Sequence, residues 1–281
     1  MPTGPHGRHH GRMTTSPEPA TPATRPTRAS RAVRARSFDA AADRYAAARP
    51  SYPPALLDAV EELAGRPLAG ARVVDVGAGT GIATALLHAR GARVTGVEPG
   101  DGMAARFRRD LPDVPLVRGV GDALPLATGS ADLLTYAQSW HWTDPDRSVP
   151  EALRVLRPGG ALALWWNTGP RDVPWIAEQE RRVEARFGVE EPGLRGVEAR
   201  LAETARRVGG ARRTVRWSRR VPLGTHLANL ASRSLFLTRD AEQGRAFLAE
   251  ERRCLSDVFP DGVVEETYDV VLLVATTPRD A

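Results

Sequence analysis

The 281-residue chain contains no lysine: all 39 of its basic residues are arginine. With abundant Ala, Gly and Pro, this bias reads as genome composition rather than selected chemistry. There is a single cysteine, Cys254. No disulfide can form within the chain, which agrees with a reducing, cytoplasmic setting. No run approaches the roughly 18–20 apolar residues of a membrane span, so a soluble protein with no membrane partner is expected. No cluster of Cys and His has the spacing of a metal site, so metal-independent chemistry is expected. No repeat appears at the periods of about 20–50 residues that mark solenoids.

The net charge of +5 and a pI near 10.2 invite a nucleic-acid reading. The excess is local, however. Residues 1–38 hold seven arginines and one acid, Glu18, which leaves residues 39–281 at −1. Residues 1–36 are rich in Pro, Thr, Ser, Gly and Arg and nearly devoid of large apolar residues, so they read as a disordered basic arm. A polybasic anchor, a targeting peptide, or a start at Met13 are the alternatives. A second arginine-rich stretch, 195–220, has nine arginines against Glu198 and Glu203. It could attract an acidic or nucleic-acid substrate. A solvated helix is the preferred reading, because only Trp217 offers a ring for base stacking.

From residue 37 to 281 the pattern is that of one α/β domain. A helical segment over 38–48 and a Pro-broken stretch precede a helix whose Leu56, Leu57, Val60 and Leu63 share one face. Strands then alternate with helices. Strands are predicted at 71–77, 92–98, 115–119, 131–138 and 161–167, and helices at 80–90, 101–110 and 146–156. Such alternation predicts a doubly wound, mostly parallel, seven-stranded sheet with helices on both faces. Helices at 174–187, 194–208, 225–236 and 241–257, with strands at 213–223 and 267–277, imply a helical insertion in the second half.

The chemistry resides in Val73-Val74-Asp75-Val76-Gly77-Ala78-Gly79-Thr80-Gly81. A buried strand enters a glycine-rich turn that opens a helix, so a ligand can press against the main chain beside a helix N-terminus. The spacing is G-x-G-x-G, not the G-x-G-x-x-G of dinucleotide enzymes. Asp75 suits a cationic ligand end and would repel a pyrophosphate. Glu98 ends the next strand, where a carboxylate can accept from both hydroxyls of a ribose.

With these motifs the chain resembles the class I S-adenosylmethionine-dependent methyltransferases, especially the small-molecule type that opens with F-D-x-x-A-x-x-Y-x-x-x-R-P-x-Y-P. The likeness runs from Phe38 to Pro158 and more weakly to Thr277. It implies S-adenosylmethionine as cofactor. Asp75, Gly77, Ala78, Gly79 and Gly81 would face its methionyl part, and Glu98 and Pro99 its ribose. Met103 would pack on the adenine, and Asp122-Ala123 would take the adenine amino group. Gln138 and Ser139 would line the methionyl side, and Arg157-Pro158-Gly159-Gly160 would form the turn before the fifth strand.

The resemblance also implies a lid from the segment bearing Tyr45, Arg49 and Tyr52. Arg49 would hold a carboxylate of substrate or cofactor, or simply stop a helix. Tyr45 is a candidate catalytic group. Trp140, His141 and Trp142, past the fourth strand, would flank the acceptor. His141 could be a general base, although a pocket wall is the preferred reading. The expected reaction is in-line methyl transfer to a small-molecule acceptor, with nucleic acid not expected and no feature setting an oligomeric state. The alternatives are a non-catalytic cofactor-binding protein, or an RNA or protein methyltransferase using the 195–220 face.

Overall fold

The structure is a computed structural model that describes residues 42–188, 194–237 and 240–279. The basic arm, and the first residues of the 38–48 segment, lie outside the described residues.

The segment expected to act as a lid begins, within the described residues, with helix α1 (Ala42–Ala48), and α2 (Pro54–Ala64) follows. Pro54 sits in the first turn of α2, where its missing N–H costs nothing, and Gly65 closes the helix in the left-handed region. The alternating core then runs β1 (Arg72–Val76), α3 (Ile82–Ala89), β2 (Arg93–Val97), α4 (Asp101–Asp110), β3 (Leu116–Val117) and β4 (Ala131–Ala137). It continues through α5 (Pro145–Val155) into β5 (Leu156–Thr168). The second half comprises α6 (Pro174–Phe187), α7 (Leu194–Val208), β6 (Ala211–Pro222), α8 (Leu223–Ala231), the single turn α9 (Ser234–Leu237), α10 (Ala241–Val258) and β7 (Val263–Thr276).

Seven strands form one sheet in the order β3-β2-β1-β4-β5-β7-β6. The first five are parallel, and β7 lies antiparallel between β5 and β6. This is the α/β, Rossmann-like, mostly parallel arrangement expected. Residue parity divides the core, because successive strand side chains point to opposite faces. Val73, Leu133, Trp165 and Leu272 pack with Leu56, Val60, Leu87 and Phe107 from α2, α3 and α4. Their neighbours Val74, Leu134, Trp166 and Leu273 pack on the other face with Val155 and Leu201 from α5 and α7. Among the described residues no helix is long and apolar enough to cross a membrane.

Two boundaries depart from expectation. The Arg157–Gly160 turn lies inside β5 as a bulge: Ala131 pairs with Leu156 but Leu133 with Ala161, and Gly159 takes φ +68°. Strand β7 begins at Val263, earlier than the expected 267. Its ladder with β5 stops at Thr168–Asp269, whereas its ladder with β6 continues to Pro222–Val263. The antiparallel β6–β7 pair therefore overhangs the carboxyl end of the sheet, where open α/β folds place ligands.

At the opposite end, Asp132 gathers the start of β4. Its carboxylate accepts from the backbone N–H of Arg72 at 2.7 Å and pairs with Arg66, Arg72 and Arg157. Burial works to raise this carboxyl, but these donors outweigh it and hold it below the usual range. Arg72 and Arg157 are more than a third exposed, so solvent screens their share. Asp132→Asn is expected to cost about 2 kcal/mol of stability at pH 7, read by denaturant unfolding. A carboxyl whose folded value is depressed stabilises above its ordinary value of 3.8 and loses that contribution below it. The gap between wild type and variant should therefore close as the pH falls from 4 toward 2.

Candidate functional site

The glycine-rich turn leaves β1 under tight constraint. Gly77 has φ +70°, and a Cβ there would stand 2.5 Å from the Ser139 Cβ. The N–H groups of Gly77 and Ala78 both donate to Val97 O, at 2.8 and 3.1 Å. Glu98 then ties the turn to the next one: one carboxylate oxygen accepts from Gly79 N–H at 2.9 Å, the other from Gly100 N–H at 2.7 Å. Gly81, at φ +93°, lies against Leu111 and Phe107 of the α4 segment. It supports the turn by close packing and does not face the ligand space.

Asp75 is also behind the wall. It is fully buried and accepts from Thr84 Oγ1 at 2.6 Å and Thr135 Oγ1 at 2.9 Å. Burial pushes its carboxyl up, and the two threonines oppose that shift. The expectation that Asp75 faces a ligand directly is thus corrected: its oxygens are engaged in fixing α3 to β1 and β4.

A cavity of about 980 Å³ opens beyond the carboxyl ends of β1, β4 and β5. Gly77, Gly79, Glu98, Pro99 and Met103 line it, as do Asp122, Ala123, Gln138 and Ser139. Tyr45, Arg49, His141 and Trp142 complete the expected set on its wall. An adjoining pocket of about 50 Å³ is lined by Tyr52 and Ala78 together with Arg49, Gly79 and Thr80. Gln138 has φ +58°, the one non-glycine residue with positive φ among those described. Such backbone is costly for a side-chain-bearing residue and concentrates at functional sites. Asp122 accepts from Asp144 N–H at 2.8 Å, which holds the loop after β3 to the start of α5.

Of the two tryptophans flanking His141, only Trp142 reaches the cavity. Trp140 is fully buried, donates through Nε1 to Thr204 Oγ1 at 3.0 Å and meets the Tyr136 ring edge-on. The tight three-residue turn Trp140–Trp142 points neighbouring side chains in different directions. Trp140 is therefore a core residue and not an acceptor wall. Tyr52 is likewise buried, edge-on to Trp165.

His141 accepts at Nδ1 from the Trp166 indole N–H at 3.2 Å. The neutral ring then carries its proton on Nε2. Burial, helped by the charges of Arg200 and Arg49, pushes its pKa down to about 3. A ring so placed is a neutral donor, which disfavours the general-base role and leaves the pocket-wall role.

The α1 segment is held by arginine. Arg49 donates to Ser232 O, just past α8, at 3.1 Å, and its guanidinium lies 4.7 Å from the Tyr45 ring centroid. Arg219 grips the segment's last carbonyls, Ala48 O at 2.8 Å and Arg49 O at 3.3 Å. Two buried donors beside the small pocket, Arg49 Nε and Thr80 Oγ1, have no hydrogen-bond partner among the described residues.

Sequence reasoning missed the inner wall, made by α6, α8 and the overhanging β6–β7 pair. Gln179, His226, Asn229, Glu266 and Tyr268 line the cavity there. A signal was present: polar residues interrupt apolar stripes. Gln179 lies between Ile176 and Val183 on α6, His226 between Leu223 and Leu230 on α8, and Glu251 between Phe247 and Leu255 on α10. In the arginine-rich 195–220 stretch, six of the nine arginines, Arg207, Arg212, Arg213, Arg216, Arg219 and Arg220, each pair with an acid.

Residues 74–164 match the family model described as a methyltransferase domain. An uncharacterized methyltransferase of Mycobacterium tuberculosis is 43% identical over 142 residues, 50% of this chain and 56% of that protein. A demethylmenaquinone methyltransferase of Beutenbergia cavernae is 38% identical over 117 residues, 41% of this chain and 47% of that protein. The chain thus spans about half the length of the curated relatives it matches. A solved protein proposed as a type II methyltransferase, from Anaeromyxobacter dehalogenans, shares the fold with a TM-score of 0.60 and 24% identity, over 82% of this chain and 99% of that one. Residues 74–164 thus resemble a methyltransferase domain, carried on a mostly parallel sheet of the Rossmann-like kind.

Proposed function

We propose that the protein transfers a methyl group from S-adenosylmethionine to a small-molecule acceptor. The observation that carries this reading is the placing of one carboxylate, Glu98, and two buried donors along the glycine turn. Glu98 accepts from Gly79 N–H and Gly100 N–H and lines the cavity, where a carboxylate suits the hydroxyls of a ribose. Among the described residues Arg49 Nε and Thr80 Oγ1 lack acceptors, and the carboxylate of an amino acid would supply them. The chain therefore offers an acceptor for a sugar and donors for a carboxylate on either side of Gly77 and Gly79.

Met103 and Asp122 would bracket the adenine, and Gln138 and Ser139 the methionyl chain. When bound, the cofactor would supply a methyl carbon on a sulfonium, already electrophilic, for in-line transfer to an acceptor lone pair with the carbon–sulfur electrons left on sulfur. The protein's share is positioning and exclusion of water. Gln138 and Ser139 fix the floor, Tyr45 and Arg49 the lid. His141, as an Nε2–H donor, orients rather than deprotonates. The acceptor in the name of the Beutenbergia cavernae relative, demethylmenaquinone, supports the reaction class, and the shape of the cavity is left to select the acceptor here. The single cysteine supports a cytoplasmic location.

Calorimetric titration tests the site. Arg49→Met should weaken S-adenosylmethionine about tenfold, yet leave 5′-methylthioadenosine, which lacks the amino-acid end, within about twofold. Glu98→Ala should weaken both by at least about tenfold. Absence of heat with S-adenosylmethionine would refute the reading. Transfer of label from S-adenosylmethionine to a component of cell extract separates an enzyme from a silent binder. For His141, the imidazole resonances should not move between pH 5 and 8, as followed by two-dimensional NMR. A midpoint in that range would restore it as a base.

A further inference from the structure

We propose that the inner end of the cavity is the acceptor compartment, and that it takes an uncharged molecule with an apolar body and one hydroxyl, whose O–H donates to Gln179 Oε1. The word acceptor rests on the methyltransferase reading. The ligand chemistry rests on the compartment itself.

The compartment is continuous with the space beside Gly77 and Glu98. At about 980 Å³ the whole cavity lies at the upper end of the range for a single small-molecule site, so it has room for a nucleoside and a second molecule. Its inner walls are largely apolar, with Trp166, Trp175, Ile176, Val183 and Leu230. Among its polar residues, Gln179, His226, Asn229, Glu266 and Tyr268 are held in one hydrogen-bond network.

The network starts at Glu251, whose side chain is fully buried. Its carboxylate accepts from Arg182 at 2.5 and 2.9 Å and from Gln179 Nε2 at 3.2 Å. An acceptor-only carboxylate demands the nitrogen of the Gln179 amide, which fixes the amide's orientation. The same nitrogen lies 3.0 Å from His226 Nε2, so that ring nitrogen accepts. His226 therefore carries its proton on Nδ1 and donates to Glu266 at 2.7 Å. Glu266 also accepts from Asn229 at 3.2 Å and from Arg219 at 2.6 Å. Asn229 donates to the Tyr268 hydroxyl at 2.9 Å.

Charges in this compartment are answered from within. Arg219 pairs with Glu266, Arg233 with Glu180 at 2.7 Å, and Arg182 with Glu251. An anionic or cationic head would have to break one of these pairs. Among the described residues, no group donates to Gln179 Oε1. Gln179 lines the cavity, and its nitrogen is committed elsewhere. What Gln179 presents is a fixed carbonyl beside the rings and aliphatic chains of Trp166, Trp175, Ile176, Val183 and Leu230. A neutral hydroxyl is the head that completes it. A site built to receive a hydroxyl discriminates strongly against the analogue that lacks one.

The test titrates the full chain, saturated with S-adenosylhomocysteine, with four probes of one shape: 4-propylphenol, 4-propylanisole, 4-propylbenzoate and 4-propylbenzylammonium. The phenol is expected to bind at least about tenfold tighter than the anisole, which has no proton to donate. The two charged probes should bind no better than the anisole. In Gln179→Leu the phenol should fall to within about twofold of the anisole, with the S-adenosylhomocysteine isotherm reporting that the fold stands. Equal affinity of phenol and anisole in the wild type, or tighter binding of either charged probe, would overturn the proposal. Should S-adenosylhomocysteine itself give no heat, the methyltransferase reading fails separately, and the same probes, run without it, still decide the chemistry of the compartment.

Discussion

The carboxylate of Glu98 ties together the two turns that shape the site. The chain leaves β1 through glycines in the left-handed region and leaves β2 through Pro99 and Gly100. Val97 O holds the first turn and Arg118 braces the second, but Glu98 joins the one to the other. By accepting from Gly79 N–H and Gly100 N–H, one buried acid closes both into a single rim. Hydrogen bonds to a charged group are worth roughly twice neutral ones. The rim lies at the carboxyl edge of the parallel strands, beside Gly77, whose missing Cβ lets Ser139 come close. The same residue that would hold a sugar is thus the residue that shapes the place for it. Site and scaffold share one interaction.

A second constraint acts from behind. Asp75, buried with its oxygens on Thr84 and Thr135, joins the first helix of the motif to the two central strands. An acid two residues before the glycines looks from the sequence like a ligand, because its distance along the chain is right. Strand parity decides otherwise. Asp75 points where the hydroxyls of α3 and β4 wait, and a buried carboxylate must take what donors it finds. Its influence on a ligand passes through the position of α3. Trp140 follows the same logic: a three-residue turn separates it from Trp142 by direction although not by sequence.

What could be read in advance was what depends on period and local punctuation. The parallel core from Arg72 to Thr168, the helix faces of Leu56 and Val60, and the glycine turn with Glu98 are all local patterns, and all were legible. The inner wall depends on contacts between residues far apart, such as Gln179 with His226 and Glu251, or Arg219 with Ala48. No periodicity encodes such pairings. Their trace is a polar residue where an apolar one would continue the stripe, and that trace names the residue without naming its partner. The bulge at Arg157–Gly160 was seen as a turn because its composition is that of a turn. Only the ladder between β4 and β5 shows that the strand continues through it.

The arginine bias of the chain makes a related point about what charge can mean. Taken by count, β6 and its approach form a basic surface. Taken by geometry, the arginines of β6 are spent on joining elements: Arg213 reaches Glu62 of α2, Arg216 reaches Asp172 and Asp269, and Arg219 reaches Glu266 and the α1 segment. Planar guanidinium groups with several donors suit this cross-bracing better than a point charge would. A long edge strand is ordinarily a liability, open to pairing with another chain. Here its side chains are turned into struts that hold the β6–β7 pair over the cavity. The overhang, and not a free basic patch, is what the charge of this region produces.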